Sequence, residues 1–406
     1  MFVAYGDGIK PGPMTLFEQL AVAGSCPGGQ AGHPDCHALM KPVTPEALKQ
    51  ELSSKIRQIL ADKLAFTAPS ITASIQEGGS LYQAQFEYMV KKEWQGTILR
   101  HAIDKDGNVN MAEANTSEGQ RVGNWNAAEK IKSQSSPAGT VDERKIWSTI
   151  EGVPYAGNWD NFNAENSGQI LNLMESTGYA VRDYHNSNSE GCPGAGQDGI
   201  TDDAIGLINF MKGTDYFAYH SCDISAVRQH VLGDIYHSQL IEVGPPDSSL
   251  DFIGQNEESY FRFRKNYANF ITKNKSRPNV VYAGSNTGML HAICSGQEVT
   301  SACPKGAGSE MWGFIPPFVA TNLPQIVNKD YDKKDTKGGT NPIFGVDGSP
   351  IVHDAFIKGF KIAGDQIEPD DVKRWRTILF VPYGRGGAGF SVLDVTDPVP
   401  SSSTCL

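Results

Sequence analysis

The chain has 406 residues, 39% apolar and 20% charged, enough for a sizeable core and for two or three domains. Its 43 glycines and 23 prolines call for many turns and favour a β-rich architecture over a helical bundle. A formal net charge of −11 sets the surface against phosphate backbones, so nucleic acid is not an expected partner, and no apolar run reaches the roughly 18 residues that span a bilayer.

Phe2-Val3-Ala4-Tyr5 reads as a short buried strand, and Gly6-Asp7-Gly8 follows at once, so neither a basic n-region nor a long h-region of a signal peptide is present. Pro13 to Ala23 reads as a helix. A second helix starts at Thr44 as N-cap, with Pro45 at the first position and Glu46 in the first turn. Leu48, Leu52, Ile56, Ile59 and Leu60 then recur at helical spacing as far as Leu64. Residues 1–66 together resemble the end of an α/β domain.

From Phe66 the period shifts to two. Ile71, Ala73 and Ile75 alternate with polar residues, and Tyr82, Ala84, Phe86 and Tyr88 share one face of a second strand. Glu77-Gly78-Gly79-Ser80 turns between them, which makes a β-hairpin. Trp94 to Ile103 is a third strand. Residues 104–200 are polar and turn-rich and define few elements. Ala204 to Lys212 reads as a short helix stopped by Gly213. Residues 67–226 are therefore expected to form a β-rich connecting domain with long loops.

Short strands dominate from Val227 onward, in a diverged repeat. Leu232 to Val243 pairs with Val346 to Val352, and Val280 to Ile293 (VVYAGSNTGMLHAI) pairs with Ile378 to Val395 (ILFVPYGRGGAGFSVLDV). In each copy an apolar strand runs into a glycine-rich turn and a second strand follows. The repeat distance exceeds the roughly 40–50 residues of a usual propeller blade, and the polar segments 321–342 and 358–373 supply insertions. About two blade-like units result, too few to close a ring, so the Phe390 to Val395 strand is expected at or near a sheet edge.

Six of the seven cysteines form local pairs in Gly/Pro/Ser-rich sequence: Cys26 with Cys36, Cys192 with Cys222, and Cys294 with Cys303. Disulfides closing short loops are the expected state, with buried free thiols as the other reading. They imply an oxidising compartment, and a leader upstream of Met1 is expected on that ground.

Asp104, Asp106, Asn108 and Asn110 place side-chain oxygens at alternate positions around Gly107, an arrangement that suits calcium. The pattern lacks the glycine and glutamate positions of an EF-hand, and a β-turn on Asp-Gly is the simpler reading. His33, Cys36 and His37 could hold zinc, but the disulfide to Cys26 competes for Cys36, and the Cys-x-x-Cys-His of a c-type haem is absent. Gly384 to Gly389 is followed by a strand, whereas a dinucleotide loop opens a helix. His237-Ser238 lacks the Gly-x-Ser-x-Gly elbow of a serine hydrolase. Trp94, Trp312 and Trp375 are expected in sheet cores.

The succession LGDIYHS (232–238), RPNVVYAGSNTGMLHAI (277–293), EMWGFIPP (310–317), FGVDGSPIV (344–352), WRTILFVPYGRGG (375–387) and FSVLDVTDP (390–398) closely resembles the start of the β-propeller in PilC/PilY proteins. The helix at 45–64 with FTAPSITASI (66–75) resembles the junction after their von Willebrand A-type domain, and LINFMKGTD (207–215) resembles the lead into the propeller. The resemblance implies the C-terminal part of an A-type domain at 1–66 and the first blades of a quinoprotein-dehydrogenase-like propeller at 227–406, in a chain that is otherwise mostly β. It implies a non-catalytic role in type IV pilus biogenesis and tip-associated adhesion to surfaces or host cells. Minor and major pilins are the implied partners, and the pilus tip or outer surface of a Gram-negative-type bacterium the implied location. The D-x-S-x-S motif of the A-type domain has no match here, and the family's propeller calcium loop is expected beyond residue 406. A pyrroloquinoline-quinone dehydrogenase is the competing propeller, but its adjacent cysteines are missing; a generic extracellular scaffold is the third reading.

Overall fold

The computed structural model describes residues 11–25, 41, 44, 45, 47, 70–71, 79–87, 94–135, 144–153, 160–175, 200–214, 227–251, 256–296, 303–326, 343–357 and 374–399. The chain divides into two compact units, Met1–Leu64 and Ala65–Leu406.

In the first unit a helix runs Pro11–Ser25, containing the expected Pro13 to Ala23. Prolines are tolerated in its first turn because those N–H groups have no intrahelical acceptor. Glu18 on this helix pairs with Lys41. Thr44 Oγ1 accepts the Ala47 N–H at 3.1 Å, the N-cap bond read from sequence, with Pro45 next to it in helical conformation. The body of that helix, Leu48 to Leu64, and the strand Phe2 to Tyr5 lie outside the described residues.

The second unit opens with an antiparallel sheet, β1 (Ser70–Ile71), β2 (Ser80–Glu87), β3 (Gln95–Ala102) and β4 (Trp125–Asn126), in that spatial order. The expected antiparallel pairing is present, with Ile71 facing Leu81 and Ser80, Tyr82, Ala84 and Phe86 alternating inward; Ala73, Ile75, Glu77 and Gly78 of the expected hairpin lie outside the described residues, and Ser80, expected in the turn, begins β2. β3 then pairs with β2 from Ser80↔Ala102 to Glu87↔Gln95.

The segment 104–200 supplies helices that its sequence did not announce: Ser117–Val122, Ala127–Gln134 and Ser167–Met174. The first two depend on caps rather than on periodicity. Thr116 Oγ1 accepts the Gly119 N–H at 3.1 Å, and Asn126 Oδ1 accepts the Ala128 N–H at 3.0 Å. Helix Ile200–Lys212 contains the expected Ala204 to Lys212 and stops at Gly213, whose φ of 116° suits only glycine.

A five-stranded sheet holds β5 (Ile146–Trp147), β6 (Ile241–Val243), β7 (Val280–Gly284), β8 (Leu290–Cys294) and β9 (Glu310–Phe314), in the order β5-β9-β8-β7-β6. β6 to β9 form an antiparallel meander, and β5 adds alongside β9 in parallel. A three-stranded meander follows: β10 (Ile351–Phe356), β11 (Trp375–Pro382) and β12 (Phe390–Asp394). Both copies of the repeat fold as antiparallel hairpins. Their turns are closed alike, Ser285 N–H to Met289 O at 2.8 Å and Tyr383 N–H to Gly389 O at 3.1 Å.

β7 is buried on both faces, which is why its sequence VVYAG is apolar without alternation. Val281, Ala283 and Ile293 pack with Tyr82, Ala84 and Ile98 of the first sheet. Val280, Tyr282, Leu290 and Ala292 pack with Leu379 and Val381 of the third. A further core joins helices Ser167–Met174 and Ile200–Lys212 to Ile146, Met289 and Ile315. Segments 67–226 and 227–406 thus share cores. Where the β11–β12 turn meets the segment before β10, glycine is required: a Cβ on Gly386 would lie 1.6 Å from Gly345 O.

The result is a mixed fold, helices among several sheets, with no closed barrel among the described residues. Among the described residues β12 pairs only with β11, so the Phe390 to Val395 segment is at an edge there, with Phe390 and Val392 exposed.

Candidate functional site

The four residues read as a calcium loop are brought together on one turn after β3. Asn110 N–H bonds back to Ala102 O at 2.8 Å, and Gly107 takes a φ of 84°. Asp104 Oδ1 accepts the N–H groups of Asp106 at 2.9 Å and Asn108 at 2.8 Å, and Oδ2 accepts Asn108 Nδ2 at 3.1 Å. The hydrogen bond from the Asn108 backbone, followed by that of its side chain, holds the Asp104 carboxyl below its ordinary value. Asn110 Oδ1 accepts the Ala112 N–H at 2.9 Å. Asp106 is exposed, and its carboxylate has no bonded partner among the described residues. No group of three or more His, Cys, Asp or Glu that could hold a metal occurs among the described residues.

Cys294 and Cys303 are joined in a disulfide, Cα–Cα 6.0 Å, that ties the end of β8 to the turn before β9. Cys26, Cys36, Cys192 and Cys222 lie outside the described residues, as do His33 and His37. His237 Nδ1 lies 2.7 Å from Asp347 Oδ2, and Ser238 Oγ accepts the Gly284 N–H at 3.0 Å, so this His-Ser pair fastens strand segments together. Trp312 and Trp375 are buried, and Trp94 stacks on Phe86 with centroids 5.4 Å apart. Gly384 to Gly389 leads into β12, as its strand-like continuation required.

The densest polar constellation escaped sequence reasoning. Ser285, in the β7–β8 turn, has Oγ 2.9 Å from His291 Nε2; His291 Nδ1 lies 2.6 Å from Glu310 Oε1. This is the hydrogen-bond order of a nucleophile, a base and an orienting carboxylate. Arg144 donates from Nε to Glu310 Oε2 at 2.7 Å and from Nη1 to Met211 O at 2.9 Å. Gln134 closes the set by bonding both the N–H and the C=O of Glu310, at 2.8 and 2.9 Å. Burial raises the Glu310 carboxyl, but the Arg144 charge and the His291 hydrogen bond outweigh it and bring it to about 2.

Ser285, His291, Glu310 and the Arg144 side chain are sealed from solvent. Ser285 Oγ also lies 2.7 Å from Thr287 Oγ1. A reacting carbonyl would have to come within roughly 3 Å of that oxygen, and the closed packing leaves it no approach. The one signal available from sequence was a pair of polar residues, His291 and Glu310, inside otherwise apolar strands.

The chain is 27% identical over 361 residues to the type IV pilus biogenesis factor PilY1 of Pseudomonas aeruginosa strain UCBPP-PA14 and 25% identical over 362 residues to that of strain PAK. Each match covers 87% of this chain and 25% of the relative. A PilY1 homolog from Xylella fastidiosa strain Temecula1 is 27% identical over 329 residues, 81% of this chain and 19% of that protein. The chain spans about a quarter of the length of the Pseudomonas relatives it matches. No family model and no solved structure matches. The similarity, sustained along most of the chain, agrees with the motifs read from sequence and supports the PilC/PilY family for this protein.

Proposed function

We propose that this chain serves in type IV pilus biogenesis and in tip-associated adhesion to surfaces or host cells, in contact with minor and major pilins and without catalysis. The similarity to PilY1 along 87% of the chain carries this reading. The first unit is taken as the tail of an A-type domain, and the sheets β6–β9 and β10–β12 as the first blades of a propeller. Their meander order and shared turn closure support that assignment. The Cys294–Cys303 disulfide supports an extracellular location. No helix among the described residues is long and apolar enough to cross a membrane. Sealing of the Ser285–His291–Glu310 set favours a structural over a hydrolytic role.

The test is an in-frame deletion of residues 227–406 in the bacterium that encodes the chain, with surface pili counted by electron microscopy and adhesion scored separately. Loss of both, restored by the intact gene, is the expected result. Normal piliation with normal adhesion would sink the proposal. Reconstitution with pyrroloquinoline quinone and alcohols should give background rates, and saturable turnover would favour the dehydrogenase.

We also propose weak calcium binding at Asp104, Asp106, Asn108 and Asn110. The unbonded, outward Asp106 carboxylate supports it.

A further inference from the structure

We propose that the hollow behind the Asp104 loop binds a small carboxylate carried on a short branched apolar body, anchored by Arg100. This inference stands apart from the pilus reading and rests on a buried cation with no counter-charge.

The hollow has a volume of about 390 Å³ and lies between Gly79, Arg100, Ala102, Ile103, Val109 and Val122, with the loop at its rim. That is the lower end of the roughly 300–1,000 Å³ usual for small-ligand sites. Arg100 is only 3% exposed. β3 holds it between Tyr82 of β2 and Trp125 of β4. Its Nε donates to Ser80 Oγ at 2.9 Å and its Nη1 to Gly123 O. Both acceptors are neutral, and each adjoins a residue of the hollow wall, Gly79 and Val122. The guanidinium is thereby fixed in orientation. Nη2 has no partner among the described residues, and Arg100 makes no ion pair there.

Two other buried cations in this chain have a carboxylate partner, whereas Arg277, like Arg100, bonds neutral acceptors, Gly244 O and Thr377 Oγ1. Arg144 has Glu310 at 2.7 Å, and Lys212 has Asp160 at 2.7 Å. A largely buried cation facing only neutral acceptors is costly, and an anion delivered through the hollow offsets that cost. Asp104, the acid at the rim, does not fill this role, because both its oxygens are turned to its own loop. Its charge also disfavours a dianion such as phosphate. One free guanidinium amino group suits a single carboxylate, and Ala102, Ile103, Val109 and Val122 suit an apolar body of four or so carbons. A free short-chain acid and a peptide C-terminus share this chemistry.

The experiment is saturation-transfer NMR on the intact chain in EDTA, which removes any cation from the neighbouring loop. The probes are isovalerate, its neutral isostere isovaleramide, inorganic phosphate and N-acetyl-alanyl-leucine. Saturable isovalerate binding, at least tenfold tighter than isovaleramide or phosphate, is expected. Tighter binding of the dipeptide than of isovalerate assigns the site to a peptide terminus, and the reverse order to a free acid. Val109 is on the rim and 37% exposed, so V109E sets a competing carboxylate at the mouth and is expected to weaken isovalerate at least tenfold, whereas V109T stays within about threefold. R100Q should abolish binding; should it unfold the sheet instead, V109E decides. Absence of saturable isovalerate binding, equal binding of isovaleramide, or an unchanged V109E each overturns the proposal.

Discussion

Arg144 Nε lies 2.7 Å from Glu310 Oε2 with both side chains sealed from solvent, although 166 positions separate the two residues. The pair joins the segment entering β5 to the start of β9, and through Met211 O and Gln134 it also reaches two helices. Removing one partner strands the other charge in the interior. R144M is therefore expected to cost about 3–5 kcal/mol in urea unfolding. The double variant R144M/E310Q, which keeps a hydrogen-bonding group for His291 and removes the stranded charge, should recover a substantial part. A loss below about 1 kcal/mol for R144M would mean that water reaches Glu310.

The same carboxyl makes stability depend on pH. Its folded value, about 2, lies below the ordinary 4.5. In the window between them the unfolded chain binds the extra proton, so stability rises with pH there. The contribution is fully present above about pH 4.5 and is lost as pH falls toward about 2. Thermal unfolding followed from pH 6 to pH 2.5 should show a falling Tm in wild type, with a shallower slope in E310Q.

The Cys294–Cys303 bridge closes a loop with a sequence separation of 9. Chain-entropy arguments give such a loop about 3 kcal/mol. C294S/C303S should lose an amount of that order, and reductant should lower the stability of wild type by more than that of the double variant. Peptide mass spectrometry without reduction should find this bridge together with Cys26–Cys36 and Cys192–Cys222.

For the loop at Asp104, calorimetric titration with calcium chloride separates two behaviours. Saturable heat in wild type that disappears in D106A is expected. Superimposable curves would leave Asp104 as a turn former alone.

What was legible in the sequence follows from how local each cause is. β2 alternates because one face is buried, and β7 is uniformly apolar because both are, so each announces itself within a few residues. Thr44 is likewise legible, since an N-cap bond spans three residues. Helices Ser117–Val122 and Ala127–Gln134 are too short for a periodic stripe and owe their ends to Thr116 and Asn126. β5 is two residues long, and its partner β9 lies far along the chain, so no window of sequence contains the cause. Arg100 reads as an unremarkable strand residue and His291 only as a polar residue in an apolar strand; the fold alone shows that one lacks a counter-charge and the other sits between Ser285 and Glu310.

β5 also dictates an order of events during synthesis. Arg144, Ile146 and Trp147 leave the ribosome long before β9, whose Glu310 trails Arg144 by 166 positions. At about 5–20 residues per second that interval is roughly ten to thirty seconds. Throughout it the Ile146 and Trp147 side chains have no β9 to join and are available to holdase chaperones. The middle sheet of the second unit is therefore completed only once β9 has emerged.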